Sequence, residues 1–293
     1  MKVLDFSRFH PFLQLLLLLA FMVAGFCVFS FLVSLLGIVF SKDMPLFMKW
    51  MQGFVQIGVM LIPALVFAYF YDKTPFKTLK INKITPSWRI LVAIALPFTL
   101  LPLAGILAEW NEAVKFPAFL ASLEQCLRNM ENAAAEMTKV FLHAETGWGL
   151  LLNLLIIAII PAFSEEFLFR GVIQNIFKRW FSNVHWAVIV TALVFSAVHG
   201  QFFGFLPRFV LGLMLGYLFV TMRSIWAPII AHFVNNGAAV VVAFLESKNI
   251  TETSAEEFGV MENAEMWGLI SAAATVAIFY LLWRRNLKYN TTC

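Results

Sequence analysis

From Pro11 to Ser41 the chain carries no charged residue. Such a run outlasts the ~7–15-residue apolar core of a cleaved leader and exceeds the ~20 residues a helix needs to cross a hydrocarbon layer. It predicts a retained, tilted first span. Similar text recurs and predicts further spans near 50–71, 90–108, 148–178, 184–198, 203–220, 225–245 and 267–283. Pro97 and Pro102 interrupt the third, which membrane helices tolerate when packed neighbours re-satisfy the backbone. The composition agrees: 61% hydrophobic, 13% charged and a mean hydropathy of +0.83, where a soluble domain is about half apolar and a quarter charged. The expected fold class is all-α, a polytopic transmembrane helix bundle of about eight spans.

Charge sets the expected orientation. With both termini cytoplasmic, 13 of the 21 Lys and Arg fall in inside segments and 6 outside, although the two longest loops are outside. That is the positive-inside bias, and one span more or fewer spoils it. Arg170 and Arg208 lie within spans, and 13 of the 17 acidic residues fall outside. A basic link, Lys73 to Arg89, is first a topology signal and second a contact for anionic lipid. Residues 109–147 predict helices at the membrane surface, and an acidic loop covers 246–265. Cys27, Cys126 and Cys293 stand far apart, so neither a disulfide framework nor a thiolate metal site is indicated. No nucleic-acid signature and no Gly-rich phosphate loop is present. The expected setting is the cell (inner) membrane, as a multi-pass protein in contact with the lipid bilayer.

Chemistry concentrates in Ser164-Glu165-Glu166-Phe167-Leu168-Phe169-Arg170-Gly171, which follows an uncharged stretch from Gly149 to Ala162. An ionised side chain near the bilayer centre costs roughly 2.5–3.5 kcal/mol by insertion scales. A chain with three such groups there is expected to bury and use them. Glu166 and Arg170 are four apart and can pair along a helix, which leaves Glu165 free for chemistry. His199 closes the fifth span. His232 and Asn236 share one face of the seventh, while Asn235 points elsewhere. At ~1.5 Å per residue, Glu165 and His199 lie about 20 Å deep and His232 about 10 Å, unless its helix starts deeper. A carboxylate and a His can deprotonate a water, and a second His with an Asn can stabilise an oxyanion. The Glu165, His199 and His232 set could instead hold zinc with an open water position, although HExxH is absent. Plainer readings are an ion pair fixing helix packing for Glu166 and Arg170, and hydrogen-bonding between helices for His232 and Asn236.

Glu165-Glu166-x-x-x-Arg170, Phe195-x-x-x-His199 and His232-x-x-x-Asn236 resemble, in order, three motifs of the CPBP intramembrane protease family. That family includes type II CAAX prenyl endopeptidases and bacteriocin-immunity (Abi-like) relatives. Arg208-Phe209-x-x-Gly212-x-x-x-Gly216 and Ser224-Ile225-Trp226-x-Pro228-Ile229 are also similar to the family's core. The resemblance implies a membrane endopeptidase in which Glu165 and His199 activate water, His232 and Asn236 stabilise the transition state, and Glu166 and Arg170 support them. It implies a peptide or protein substrate, membrane-associated or prenylated, with no certain cofactor and zinc left open. It divides the chain into an N-terminal part (1–146), a catalytic core (147–245) and a last part (246–293). A non-proteolytic immunity or scaffold protein of the same fold is the alternative. A proton-coupled carrier is a weaker one, since no half-to-half repeat is visible.

Overall fold

The computed structural model describes residues 5–40, 44–72, 74–82, 87–251 and 263–290. The turn expected around Lys42 and Asp43, Lys73 and Lys83 of the basic link, most of the acidic loop and Cys293 fall outside them. Every regular element among the described residues is helical. Helix α1 (Pro11–Phe40) is one apolar run without a break. Helix α2 passes from Met44–Gln56 through a π-helical stretch, Ile57–Leu61, into Ile62–Tyr71. A single turn, Pro75–Thr78, leads to α3 (Ser87–Glu112), which runs through both prolines. Helix α4 (Ala121–Leu142) buries no residue and is the surface helix expected there. Helix α5 (Gly147–Phe181) contains two further π stretches, Leu154–Ile159 and Phe167–Ile173. Then follow α6 (Val184–Ala197), α7 (Phe205–Met222), α8 (Trp226–Ser247) and α9 (Ala264–Asn290).

Seven of these helices are long and apolar enough to cross a membrane: α1–α3, α5 and α7–α9. The eighth apolar helix of the expectation is α6, which is shorter, with 14 residues. At ~1.5 Å per residue that is about 21 Å, short of the ~30 Å hydrocarbon thickness. The loop after α6 is tied to α3 and α4 by hydrogen bonds and buries Phe203, while Val198 to Gly200 and Phe202 stay exposed. Gly200 takes a left-handed turn, φ 66°. The Asn111 side chain donates to the Phe202 carbonyl (3.0 Å) and accepts from the Leu206 N–H (2.8 Å). Glu131 of α4 accepts from Gln201 (3.0 Å) and from the Phe203 N–H (3.1 Å). Helix α6 ends two residues before His199, which is exposed.

Two apolar clusters hold the bundle. One joins α1, α2, α5 and α6 through residues such as Leu18, Phe67, Leu168 and Phe195. The other joins α3, α7, α8 and α9 through Leu96, Leu215, Ala231 and Leu282. Helix α8 serves both, Ile229 in the first and Ala227 and Ala231 in the second. His232 stands at that seam. Close packing positions α7: a Cβ on Gly212 would lie 3.0 Å from that of Ala192, and one on Gly216 2.8 Å from Val188. In lipid, such contact replaces the hydrophobic effect as the force between helices.

Candidate active site

The polar residues of α5 sit at the edges of its π stretches, where the backbone ladder changes register. Such stretches are rare and recur at functional sites, because carbonyls released from the regular ladder need other donors. Here two asparagines supply them. Asn236 Nδ2 donates to the Ile157 carbonyl (3.2 Å) and Asn175 Nδ2 to the Gly171 carbonyl (2.8 Å). Glu165 and Glu166 end the segment between the two π stretches, and Arg170 lies inside the second. A π turn advances the chain by less than 100° per residue, so it alters which side chains share a face.

Glu166 and Arg170 are fully buried, and Arg170 Nη1 donates to Glu166 Oε1 at 2.9 Å. Arg170 Nη2 donates to the Gly212 carbonyl at 3.1 Å, and its guanidinium lies 4.9 Å from the centre of the Phe195 ring. A charge this deep is tolerable only when paired and hydrogen-bonded. His232, 3% exposed, donates from Nδ1 to the same Glu166 oxygen at 2.8 Å. Its Nε2 then faces Glu165 Oε2 across 3.8 Å. Glu165 Oε1 accepts from Gln56 Nε2 at 2.8 Å. The result is one polar chain through three helices: Arg170, Glu166, His232, Glu165 and Gln56.

His199 joins from the other side of Phe195. Both imidazoles lie against that phenyl ring, at centroid distances of 5.1 Å for His199 and 6.1 Å for His232. His199 Nδ1 is 2.7 Å from the Phe195 carbonyl. A carbonyl only accepts, so Nδ1 carries the proton and the Nε2 lone pair is left for chemistry. His199 feels the charges of Glu165, Arg208 and His232, but no direct bond joins it to them. Asn236 stands apart from the carboxylates. Asn235 Nδ2 donates to its Oδ1 at 3.1 Å and so fixes the Asn236 amide with Nδ2 towards Ile157. One Nδ2 hydrogen is used there and the other remains.

The structure thus gathers Glu165, Glu166, Arg170 and His232 directly, with His199 beside them and Asn236 held back. For His232, the structure favours the alternative in which its helix starts deeper. Ile225 and Ala227 are at 0% exposure, so α8 begins inside the bundle, and Trp226 packs edge-on to Phe163 of α5. Sequence reading missed Gln56. Its signal was a second-span helix carrying Gln52 and Gln56 four apart in apolar text. Lys49 falls just outside the second span expected near 50–71. Lys49 is 8% exposed, within α2, and donates to the His143 carbonyl (2.7 Å) and Asn153 Oδ1 (3.0 Å). Among the described residues, no three His, Cys, Asp or Glu side chains converge as a metal cage would require.

A buried carboxylate–imidazole chain within a bundle of apolar helices defines a multi-pass membrane protein with an internal polar site. Residues 147–238, about a third of the chain, match the model of the type II CAAX prenyl endopeptidase Rce1-like family. An "Uncharacterized 24.3 kDa protein" of Escherichia coli is similar, 30% identical over 100 residues, which is 33% of this chain and 46% of that protein. The match therefore spans less than half of that relative. No solved structure matches the chain.

Proposed function

We propose that the protein is an intramembrane endopeptidase of the CAAX type, acting on a peptide or protein substrate in the cell membrane. The observation that carries this reading is the Glu165–His232–Glu166–Arg170 chain, lying inside the segment shared with the endopeptidase family. Water bound between Glu165 Oε2 and His199 Nε2 gives up a proton to one of them, and its oxygen attacks the scissile carbonyl carbon. Protonated His232, donating from Nε2, and the second Nδ2 hydrogen of Asn236 stabilise the oxyanion. As the C–N bond breaks, the captured proton passes to the leaving amine. Glu166 accepts from His232 Nδ1 and is itself held by Arg170, the arrangement by which a carboxylate orients a catalytic imidazole. Loss of turnover with a chelator, restored by added zinc, would assign Glu165, His199 and His232 to a metal; indifference to the chelator would favour glutamate-activated water.

The test is cleavage of peptides by the purified protein in bilayer discs, with prenylated and unprenylated versions as separate arms. Glu165→Ala and His199→Ala should each lower the rate by at least about 10²-fold, the lower end of general acid–base contributions. Wild-type rates in both would overturn the reading and leave the non-proteolytic scaffold. A faster prenylated arm would extend the reading to lipidated substrates.

A further inference from the structure

Outside the site, a cationic cleft of about 740 Å³ lies at the other end of α5. It lies where the ends of α5, α6 and α7 meet the turn after Pro75. Four cations line it, Lys77, Lys80, Lys178 and Arg223, and neither Asp nor Glu is among its lining residues. Gln174 forms part of its wall, about 13 Å along α5 from Glu165 at ~1.5 Å per residue. The cleft is therefore separate from the carboxylate–imidazole chain.

Its construction is specific. Among the described residues, five that are not glycine have positive φ, and Lys80 (56°), Ser182 (51°) and Arg223 (55°) all line this cleft. The other two are asparagines, which adopt that conformation readily. Ser182 and Arg223 cap the C-termini of α5 and α7, positions where glycine is the unstrained choice. Each instead carries a hydrogen-bond donor or a cation. Such strain clusters where ligands are clamped. The Lys80 ammonium is folded inward, 4.0 Å from the centre of the Phe219 ring. Burial first, and the charges of Lys178 and Arg223 second, push its pKa down to about 8. Gln174, 3% exposed, donates to the Gly216 carbonyl (3.3 Å) and keeps a buried Oε1 without a partner. An acceptor there suits a ligand that also carries a hydroxyl.

We propose that this cleft binds a phosphate group, presented either by an anionic lipid headgroup or as free phosphate. Lys80 and Lys178 are its principal charges, with Ser182 as a neutral donor. A phosphate satisfies several donors at once and matches clustered cations. In the orientation expected with both termini cytoplasmic, this end of the bundle meets the leaflet whose anionic lipids attract such clusters.

The experiment uses the full-length chain and follows thermal unfolding by tryptophan fluorescence. One arm adds inorganic phosphate against chloride at equal ionic strength, in neutral detergent. The other compares bilayer discs of phosphatidylcholine alone with discs that also contain phosphatidylglycerol. Stabilisation by inorganic phosphate identifies the free ion, and stabilisation only by phosphatidylglycerol identifies the headgroup. Lys80→Gln with Lys178→Gln should weaken the response about tenfold in apparent affinity, the loss of about one charged hydrogen bond. Arg284→Gln with Arg285→Gln, which removes two charges from the same end, should keep it. A second readout does not depend on the variants. An amine-reactive acylating reagent near pH 8 labels Lys80 in wild-type protein, and the stabilising probe should protect it. No stabilisation by either probe, an unchanged response in the double lysine variant, or undiminished labelling of Lys80 each overturns the proposal.

Discussion

Arg170 and Lys178 stand two turns apart on α5, yet their surroundings are opposite. Arg170 has zero exposure, and its charge is matched by Glu166 and by the Gly212 carbonyl. Lys178 is exposed and faces Lys80 and Arg223 across a cleft lined by no carboxylate. A buried charge such as that of Arg170 is tolerable only when paired and hydrogen-bonded within the chain. At the helix end, solvent lets like charges gather, which leaves their balance to an anion. The same helix thus carries a closed electrostatic set in its middle and an open one at its end.

Breaking the closed set should have the largest effect. Arg170→Ala removes the partner of a buried carboxylate and the donor to Gly212, and should destabilise the protein by about 3–5 kcal/mol. Denaturant unfolding in detergent measures it. Lys178→Ala at the open end should stay within about 0.5 kcal/mol in the same assay. Equal losses at both positions would erase the contrast.

Next in size is the packing that holds the set closed. Gly212→Leu forces a side chain against Ala192 and Phe195, the ring beneath Arg170. A loss of about 1–3 kcal/mol is expected, as for an overpacked core. Because the Gly212 carbonyl also binds Arg170, peptide turnover should fall with it. A stable but inactive Gly212→Leu protein would separate positioning from packing.

How much of this was legible depended on distance along the chain. Glu166 and Arg170, and His232 and Asn236, are each four apart, so helical periodicity alone put each pair on one face. The all-helical membrane class followed from uncharged runs such as that of α1. Gln56 was not legible as a partner of Glu165, because 109 residues separate them and a lone amide in an apolar span has many possible mates. The π stretches were hidden for a similar reason. Their backbone angles stay near those of an α-helix, and tertiary partners such as Asn236 decide whether the wider turn is tolerated. The early end of α6 depended on Asn111 and Glu131, both distant in sequence. Lys49 was misread because charge near a span end usually marks the surface, whereas Asn153 and the His143 carbonyl hold this one inside.

Gln56→Leu probes the rim of the closed set with a smaller effect. It removes one hydrogen bond to a carboxylate while keeping apolar bulk. Turnover should fall about tenfold, the equivalent of ~1.4 kcal/mol, with little loss of stability. An unchanged rate would show that Glu165 is positioned by His232 and the backbone alone.

The last effect belongs to the open set and appears only in its pH dependence. Lys80 loses its proton near pH 8 in the folded protein but near 10.5 once unfolded. Below pH 8 it is charged in both states, and the folded state bears the repulsion of its neighbours. Between these values the unfolded chain binds more protons, so stability must rise with pH across that window. Thermal unfolding of wild type and Lys80→Gln from pH 7 to pH 10, without phosphate or anionic lipid, isolates the effect. Their difference should change over the upper part of the range, with wild type gaining relative to the variant. Added anion should flatten that gain, because a bound negative charge returns the Lys80 pKa towards its usual value. Parallel curves would mean that Lys80 is solvated and that the cations at this end do not share one field.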